Sequence, residues 1–325
     1  MKRKPGLHFL IAILLFFSAL YIAVFTGSLN VSIGDLWQHF FITSNENVAV
    51  IIDMRIPRIF IAIFSGAALA VSGTLLQAVM KNPLADPGII GVSSGASFLW
   101  LIGIMLFPDL YFWSPLFAFI GGALTFFLVF LFTWRSNLSP IRMILVGVAL
   151  NAVFSSFTEI LSFHNPFLSS GTRFAALNLK TWNDVKIIVI FGTVGLILAL
   201  FLYKICNLLI LSDDTLTNLG VSVTQSRILV SAVAVLLAGV ATAVAGVIPF
   251  IGLLIPHISR QLIGSDHKWL IPFSALSGSL LLLVADTIGR SFFHPGEIPA
   301  AMIMAIIGGP FLIFLLTRRN GLNGS

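Results

Sequence analysis

Arg55-Ile-Pro-Arg58, an apolar run, and then Lys81-Asn-Pro-Leu-Ala-Asp-Pro87 make up the stretch of sequence that decides the fold. Residues 59–80 between them carry no charge. At 1.5 Å per residue such a helix spans about 33 Å, enough to cross the hydrocarbon core of a bilayer. Its middle, Ser65-Gly-Ala-Ala-Leu-Ala-Val-Ser-Gly73, is made of small residues. Small side chains gain little from lipid contact and are useful where another helix must approach closely. The segment therefore reads as a membrane crossing surrounded by protein.

Composition agrees. Hydrophobic residues make up 58% of the 325-residue chain and charged residues 9%, where soluble domains carry about 25% charged. So few charges cannot cover a water-soluble surface, and the chain reads as an all-α polytopic membrane protein. The net charge of +6 does not point to nucleic acid, because the basic residues are scattered through short loops with no basic groove or stacking motif. The single cysteine, Cys206, excludes an intrachain disulfide and a thiolate cluster. Met1-Lys-Arg-Lys-Pro5 and the uncharged residues 7–29 resemble a signal peptide at first sight. The apolar region is too long and lacks a small-residue cleavage site, so it reads as a retained first helix.

Charges and Gly/Pro breaks divide the chain into about ten spans: 7–28, 57–80, 88–107, 115–134, 141–162, 186–206, 227–246, 253–264, 270–290 and 298–317. The uncharged stretch 228–259 is too long for one crossing, and Gly246-Val-Ile-Pro-Phe-Ile-Gly252 divides it into a full span, a tight turn and a shorter helix. Residues 1–325 read as one transmembrane domain. With the N-terminus inside, Lys2, Arg3, Lys4, Lys81, Arg135, Arg142, Lys204, Arg227, Arg260, Lys268, Arg318 and Arg319 fall on the inner side. Arg55, Arg58, Arg173, Lys180, Lys186 and Arg290 fall on the outer side. The bias places both termini in the cytoplasm of a multi-pass cell-membrane protein. It also leaves the outer arginines in need of a reason. Gly66 to Gly73 runs inward on this map, while Gly239-Val-Ala-Thr-Ala-Val-Ala-Gly246 runs outward. Two such small-residue helices of opposite direction are what an inverted repeat leaves behind, with Gly66, Gly73, Gly239 and Gly246 as packing positions.

These residues carry a family resemblance. Arg55-Ile-Pro-Arg58, Gly66 to Gly73, Gln77, Asn82-Pro-Leu-Ala-Asp-Pro87 and Gly91-Val-Ser-Ser-Gly-Ala96 resemble the shared block of the permeases of iron-siderophore, haem and vitamin B12 importers. So do Gly246 to Arg260, Gly264-Ser-Asp-His267, Leu283-Val-Ala-Asp286, Glu297-Ile-Pro299 and Gly308-Gly-Pro-Phe311. The order is collinear over essentially the whole chain. The resemblance implies the type II ATP-binding-cassette importer permease fold with ten helices per subunit. It further implies a second permease subunit, two cytoplasmic ATP-binding subunits and an extracytoplasmic solute-binding protein. Ferric siderophore is the expected cargo, with haem or cobalamin as alternatives. The chain departs from the family at Phe174-Ala-Ala-Leu-Asn-Leu-Lys180 and at Pro249.

Each candidate site has two readings. Arg55, Arg58 and Arg290, by resemblance, receive carboxylates from the binding protein; otherwise they reach lipid headgroups, or Arg290 pairs with Asp286 one turn earlier. In Leu211 to Val223, Asp213 and Asp214 are suited to cap a short helix and Gly220 to turn out of it. By resemblance this is the element that contacts the ATPase, through Asp213, Asp214, Thr215, Leu219, Gly220 and Val221; otherwise it is an ordinary amphipathic loop. Asn151, Ser155 and Glu159 share one helical face. They line the translocation path or bond between helices. Pro256-His257 and Asp286 invite a metal, but the six histidines show no ligand spacing, so a structural role is expected and no metal. Asp86 is expected to cap a helix that begins at Pro87. The chain has no Gly-x-x-x-x-Gly-Lys-Ser/Thr loop. It is therefore expected to bind no cofactor and not to be an enzyme, with ATP on partner subunits. A secondary transporter is the other transport reading. It would need buried coupling carboxylates, for which only Glu159 and Asp286 are candidates.

Overall fold

Pro57 sits in the first turn of the central helix, where its missing N–H costs nothing. That helix is the second of twelve α-helices in a computed structural model that describes residues 5–26, 51–133, 140–163, 177, 180–291 and 297–320. In chain order they are α1 (Pro5–Phe25), α2 (Ile56–Val79), α3 (Val92–Leu106), α4 (Ser114–Thr133), α5 (Pro140–Phe163) and α6 (Trp182–Phe201). There follow α7 (Tyr203–Leu209), α8 (Asp213–Asn218), α9 (Val223–Ala245), α10 (Ile251–Ile263), α11 (His267–Ser291) and α12 (Ala300–Asn320). No strand occurs among the described residues.

Ten of these helices occupy the ten stretches expected from the sequence, α7 and α8 being the short extras. Among the described residues seven are long and apolar enough to cross a membrane: α1, α2, α4, α5, α6, α9 and α11. α3 has 15 residues and α10 has 13, giving about 22 and 20 Å, short of a full crossing. Both are shortened at the start by a left-handed residue, Gly91 (φ 83) before α3 and Phe250 (φ 67) before α10. The helix expected to begin at Pro87 therefore begins at Val92. Asp86 caps a turn instead, accepting from the N–H groups of Gly88 (2.8 Å) and Ile89 (3.2 Å).

α2 and α9 form the centre, with 83% and 78% of their apolar windows buried. Neighbour relations around them follow a regular exchange. α2 packs on α11 and α10, as α9 packs on α4 and α3; α3 packs on α4 and α5, as α10 packs on α11 and α12; and α4 touches α5 as α11 touches α12. Swapping α2 to α5 for α9 to α12 thus preserves the contacts. Four of the ten expected spans, α3 to α6, lie between α2 and α9, so the two units run in opposite directions, as the small-residue echo implied. The seats match too. A Cβ on Gly147 of α5 would press on Ile90 beside the left-handed Gly91, and one on Gly308 of α12 would enter the ring of the left-handed Phe250.

The expected packing glycines divide by role. A Cβ on Gly66 would overlap the carbonyl oxygen of Gly278 in α11, and one on Gly73 the carbonyl oxygen of Gly252 in α10. Gly239 faces the backbone of Ala118 and Phe119 in α4, with 3.1 Å to the nearest atom. Gly246 serves the chain reversal: it ends α9 at φ 79 and ψ −170, a conformation that side chains resist. Gly66→Val and Gly73→Val are expected to lower stability by about 1–3 kcal/mol or more, since backbone must move. Gly192→Ala, whose new Cβ would meet its nearest atoms at 3.9 Å, should leave the unfolding midpoint of the detergent-purified protein unchanged.

Candidate functional site: a tethered short helix and a buried arginine cluster

The segment 211–223 folds as the short helix α8 with both ends satisfied. Its N-cap is Ser212, whose side chain accepts from the Thr215 N–H at 3.3 Å, and not Asp213 or Asp214 as the sequence suggested. Ser212 has the extended backbone a cap needs, while Asp213 already lies inside the first turn. At the other end Gly220 takes φ 73. The Gly220 N–H bonds the Thr217 carbonyl at 2.9 Å and the Val221 N–H bonds the Leu216 carbonyl at 3.0 Å. This paired closure is a Schellman motif. Leu216 is fully buried and anchors α8 to the bundle, whereas Leu219 is 59% exposed.

Freed from capping, Asp213 ties α8 to both central helices. Its carboxylate accepts from Lys81 Nζ at 2.8 Å, just past the end of α2, and from Arg227 Nη2 at 3.1 Å, in the first turns of α9. Lys81 also donates to the Leu211 carbonyl at 2.5 Å, and it holds a left-handed backbone at φ 48. The hydrogen bond from Lys81, aided by the charge of Arg227, holds the Asp213 carboxyl below the usual carboxylate range. A folded pKa below that of the unfolded chain means the tie stabilises above about pH 4 and is lost as pH falls further.

At the opposite end of the bundle three arginines converge. Arg58 Nε donates to both carboxylate oxygens of Asp286 at 2.9 Å, and Arg58 Nη1 to Glu297 at 2.7 Å. Arg55 donates to the carbonyl of Val24 at 2.7 Å, and Arg290 to that of Ala23. Both carbonyls belong to the last turn of α1, whose terminal C=O groups have no partner within the helix and carry partial negative charge. All three arginines are buried, at 8%, 6% and 5% exposure for Arg55, Arg58 and Arg290. Asp286 thus pairs with a residue 228 positions away and not with Arg290 one turn on, and the arginines turn inward and not toward headgroups.

The stripe on α5 lies apart from both clusters. Asn151 is half-buried, while Ser155 and Glu159 are exposed. Only 11% of the apolar window of α5 is buried, and Leu145, Val148, Val153 and Phe157 are exposed with them. His257 meets Gln261 at 2.9 Å and lies edge-on to Phe311. Among the described residues no three His, Cys, Asp or Glu side chains converge as a metal site would require. Lys81, Ser212, Arg227 and Glu297 were not singled out by sequence reasoning. A further buried node also went unread: Gln77 bonds the carbonyls of Ala85 and Gly252 at 3.1 Å and receives Arg260. The repeated presence of Gln77 and Arg260 in the family-like motifs was the available signal. Of the divergent loop 174–180, only Leu177 and Lys180 lie among the described residues.

A tightly packed helical bundle with two half-length helices and a capped, tethered helix at one end has the architecture of a type II importer permease. A sequence-family model of the FecCD transport family matches residues 11–318, and the chain belongs to that family. It is similar to the "Probable heme-iron transport system permease protein IsdF" of Staphylococcus aureus strains Newman and MW2, at 42% identity over 317 residues, 98% of this chain and 97% of theirs. A solved structure described as "An inward-facing conformation of a putative metal-chelate type ABC transporter" matches with a TM-score of 0.80 at 28% identity. That match covers 97% of this chain and 99% of the other. The chain is a multi-pass membrane permease, and its family is one of transport proteins and not of enzymes.

Breaking a buried ion pair leaves an uncompensated charge, which costs about 3–5 kcal/mol. Arg58→Met and Asp286→Leu are each expected to destabilise on that scale, and the double variant by less than the sum. Thermal unfolding of the four proteins in detergent measures the coupling; additive losses would show that the pair does not act as a unit.

Proposed function

We propose that the chain is the permease subunit of an ATP-driven iron-chelate importer, one transmembrane domain with both termini cytoplasmic. Two such subunits, identical or related, form the path. Two separate ATP-binding subunits supply the energy and an extracytoplasmic binding protein delivers the cargo, while this chain holds no cofactor. The observation that carries the reading is the tether of α8: an element exposed at Leu219 yet fastened through Asp213 to both central helices can pass a push from a docked ATPase into the bundle. In this reading Asp213, Asp214, Thr215, Leu219, Gly220 and Val221 make the ATPase contact and its hinge.

α5 supports the dimer. A helix face carrying Asn151, Ser155 and Glu159 with almost no cover in one chain is costly against lipid and suited to a partner or a watery path. For the binding protein, Arg55, Arg58 and Arg290 gather at one mouth with Asp286 and Glu297, and Asp53 lies exposed two residues before Arg55. In this reading acidic groups of the binding protein remake these pairs, so that the arginines orient the docked lobes. Haem is the cargo that the names of the 42%-identical relatives favour, and ferric siderophore is the second reading, drawn from the family resemblance.

A Gly220→Val variant forces a branched side chain into positive φ, and Leu219→Asp puts a charge on the exposed contact. Both are expected to abolish copurification of the ATP-binding subunit while leaving the permease extractable. Asp213→Asn should change stability by at most about 1 kcal/mol, as exposed pairs do, yet lower transport per ATP hydrolysed. ATP-independent uptake by the purified chain would overturn the proposal. For cargo, a deletion strain should lose growth on haem as sole iron source and keep growth on ferric siderophores; the reverse pattern would select the second reading.

A further inference from the structure

A cavity of about 670 Å³ opens on the side of the bundle at the same end as α8. Its walls are apolar and aromatic, from Phe126, Phe127 and Phe130 of α4, Met143 of α5 and Val235 of α9. Phe127 and Ile228, both lining it, are 58% and 59% exposed. The cavity therefore opens on the flank of this chain between α4 and α9. Its polar groups gather at one end: Lys81, Arg227 and Asp213, with Ser212 beside them.

Two residues that line this cavity carry a buried donor without a partner. The Nε of Arg227 is buried with no hydrogen-bond acceptor, and so is the hydroxyl of Ser231, whose residue is 3% exposed. The two residues are four apart on α9 and so share one face. The rim also carries excess charge, because a single carboxylate, that of Asp213, is shared between two cations. Buried donors without acceptors are costly, and an unbalanced cation beside an apolar slot fits a ligand with an anionic head and an apolar tail. A polar solute would leave the aromatic walls unsatisfied, and a bare alkyl chain would leave Arg227 and Ser231 so.

We propose that this cavity is a binding site for an anionic phospholipid of the adjoining leaflet. The phosphate accepts from Arg227 Nε and balances the rim, an ester oxygen accepts from Ser231, and one acyl chain lies between α4 and α9. Basic pockets between helices at the cytoplasmic face suit such headgroups. Because the rim shares Asp213 with α8, a bound phosphate competes for Lys81 and Arg227 and loosens the tether, so leaflet composition adjusts the coupling of α8. That last consequence rests on α8 being the ATPase contact; the lipid site itself does not.

The test uses the delipidated full-length chain alone in detergent, titrated with phosphatidylglycerol or phosphatidylcholine and read by native mass spectrometry. Phosphatidylglycerol should be retained about fivefold better, the ratio expected of one uncompensated cation. Arg227→Gln should abolish that preference. Ala232→Trp narrows the slot from an exposed position without touching the rim, and it should lower retention of both lipids. Equal retention of the two lipids, a preference that survives Arg227→Gln, retention unchanged by Ala232→Trp, or full displacement by millimolar inorganic phosphate would overturn the proposal. If Arg227→Gln fails to fold, Lys81→Gln removes the other rim cation and should likewise abolish the preference, while Ser231→Ala should lower retention of both lipids alike. No ATPase or nucleotide is present, so failure here leaves the importer reading standing, and loss of ATPase copurification leaves this site standing.

Discussion

Backbone contact through glycine is the constraint on which this bundle rests. In lipid, helices gain nothing from hiding apolar side chains from one another, so association depends on close van der Waals approach and on polar bonds between helices. α2 meets that condition twice, with Gly66 against Gly278 of α11 and Gly73 against Gly252 of α10. Where backbones lie this close, short polar side chains can bridge them. Ser72 donates to the carbonyl of Ala234 in α9, and Ser279 to that of Ile63 in α2. The centre is thus fixed by small residues, and the large apolar ones face outward on α1, α4 and α5.

The two ends of the central pair are fastened differently, and the difference suits their tasks. At the Arg58 end the ties are buried, so removing either partner strands a charge and the cluster behaves as a rigid collar around α1, α2 and α11. At the Lys81 end the tie runs through Asp213, whose side chain is 49% exposed. Such a pair is weak and can be remade, which is appropriate for an element that must move against the bundle. A collar at one mouth and a soft tether at the other give a bundle in which α8 can shift without unpacking the core.

Much of this was legible along the chain. Uncharged runs of crossing length marked the long helices, and the small-residue runs of α2 and α9 marked the centre, because both signals are local. The α8 segment was legible as a short capped helix with a glycine exit. Its cap was misplaced by one residue, since Ser212 and Asp213 are both good caps and only the backbone angle decides between them. Gly246 reads from the sequence both as a packing position and as the first residue of a turn, and its φ of 79 shows that it serves the turn. The start of α3 was placed too early for the same reason, Gly91 being left-handed.

The sequence by itself determined the class of protein, the place of its ten principal helices, the family and the doubled architecture, because these follow from hydrophobic length, small-residue spacing and collinear motifs. Tertiary structure alone decided the pairings. Arg58 finds Asp286 across 228 positions and Lys81 finds Asp213 across 132. Charge counting can say that outer arginines need a reason, but not that the reason is a buried carboxylate and the open carbonyls of α1. Nor could it show that three helices leave an aromatic slot beneath two basic side chains. Those outcomes depend on which faces meet once glycine contacts have set the distance between helices, and no local pattern in the chain encodes that distance.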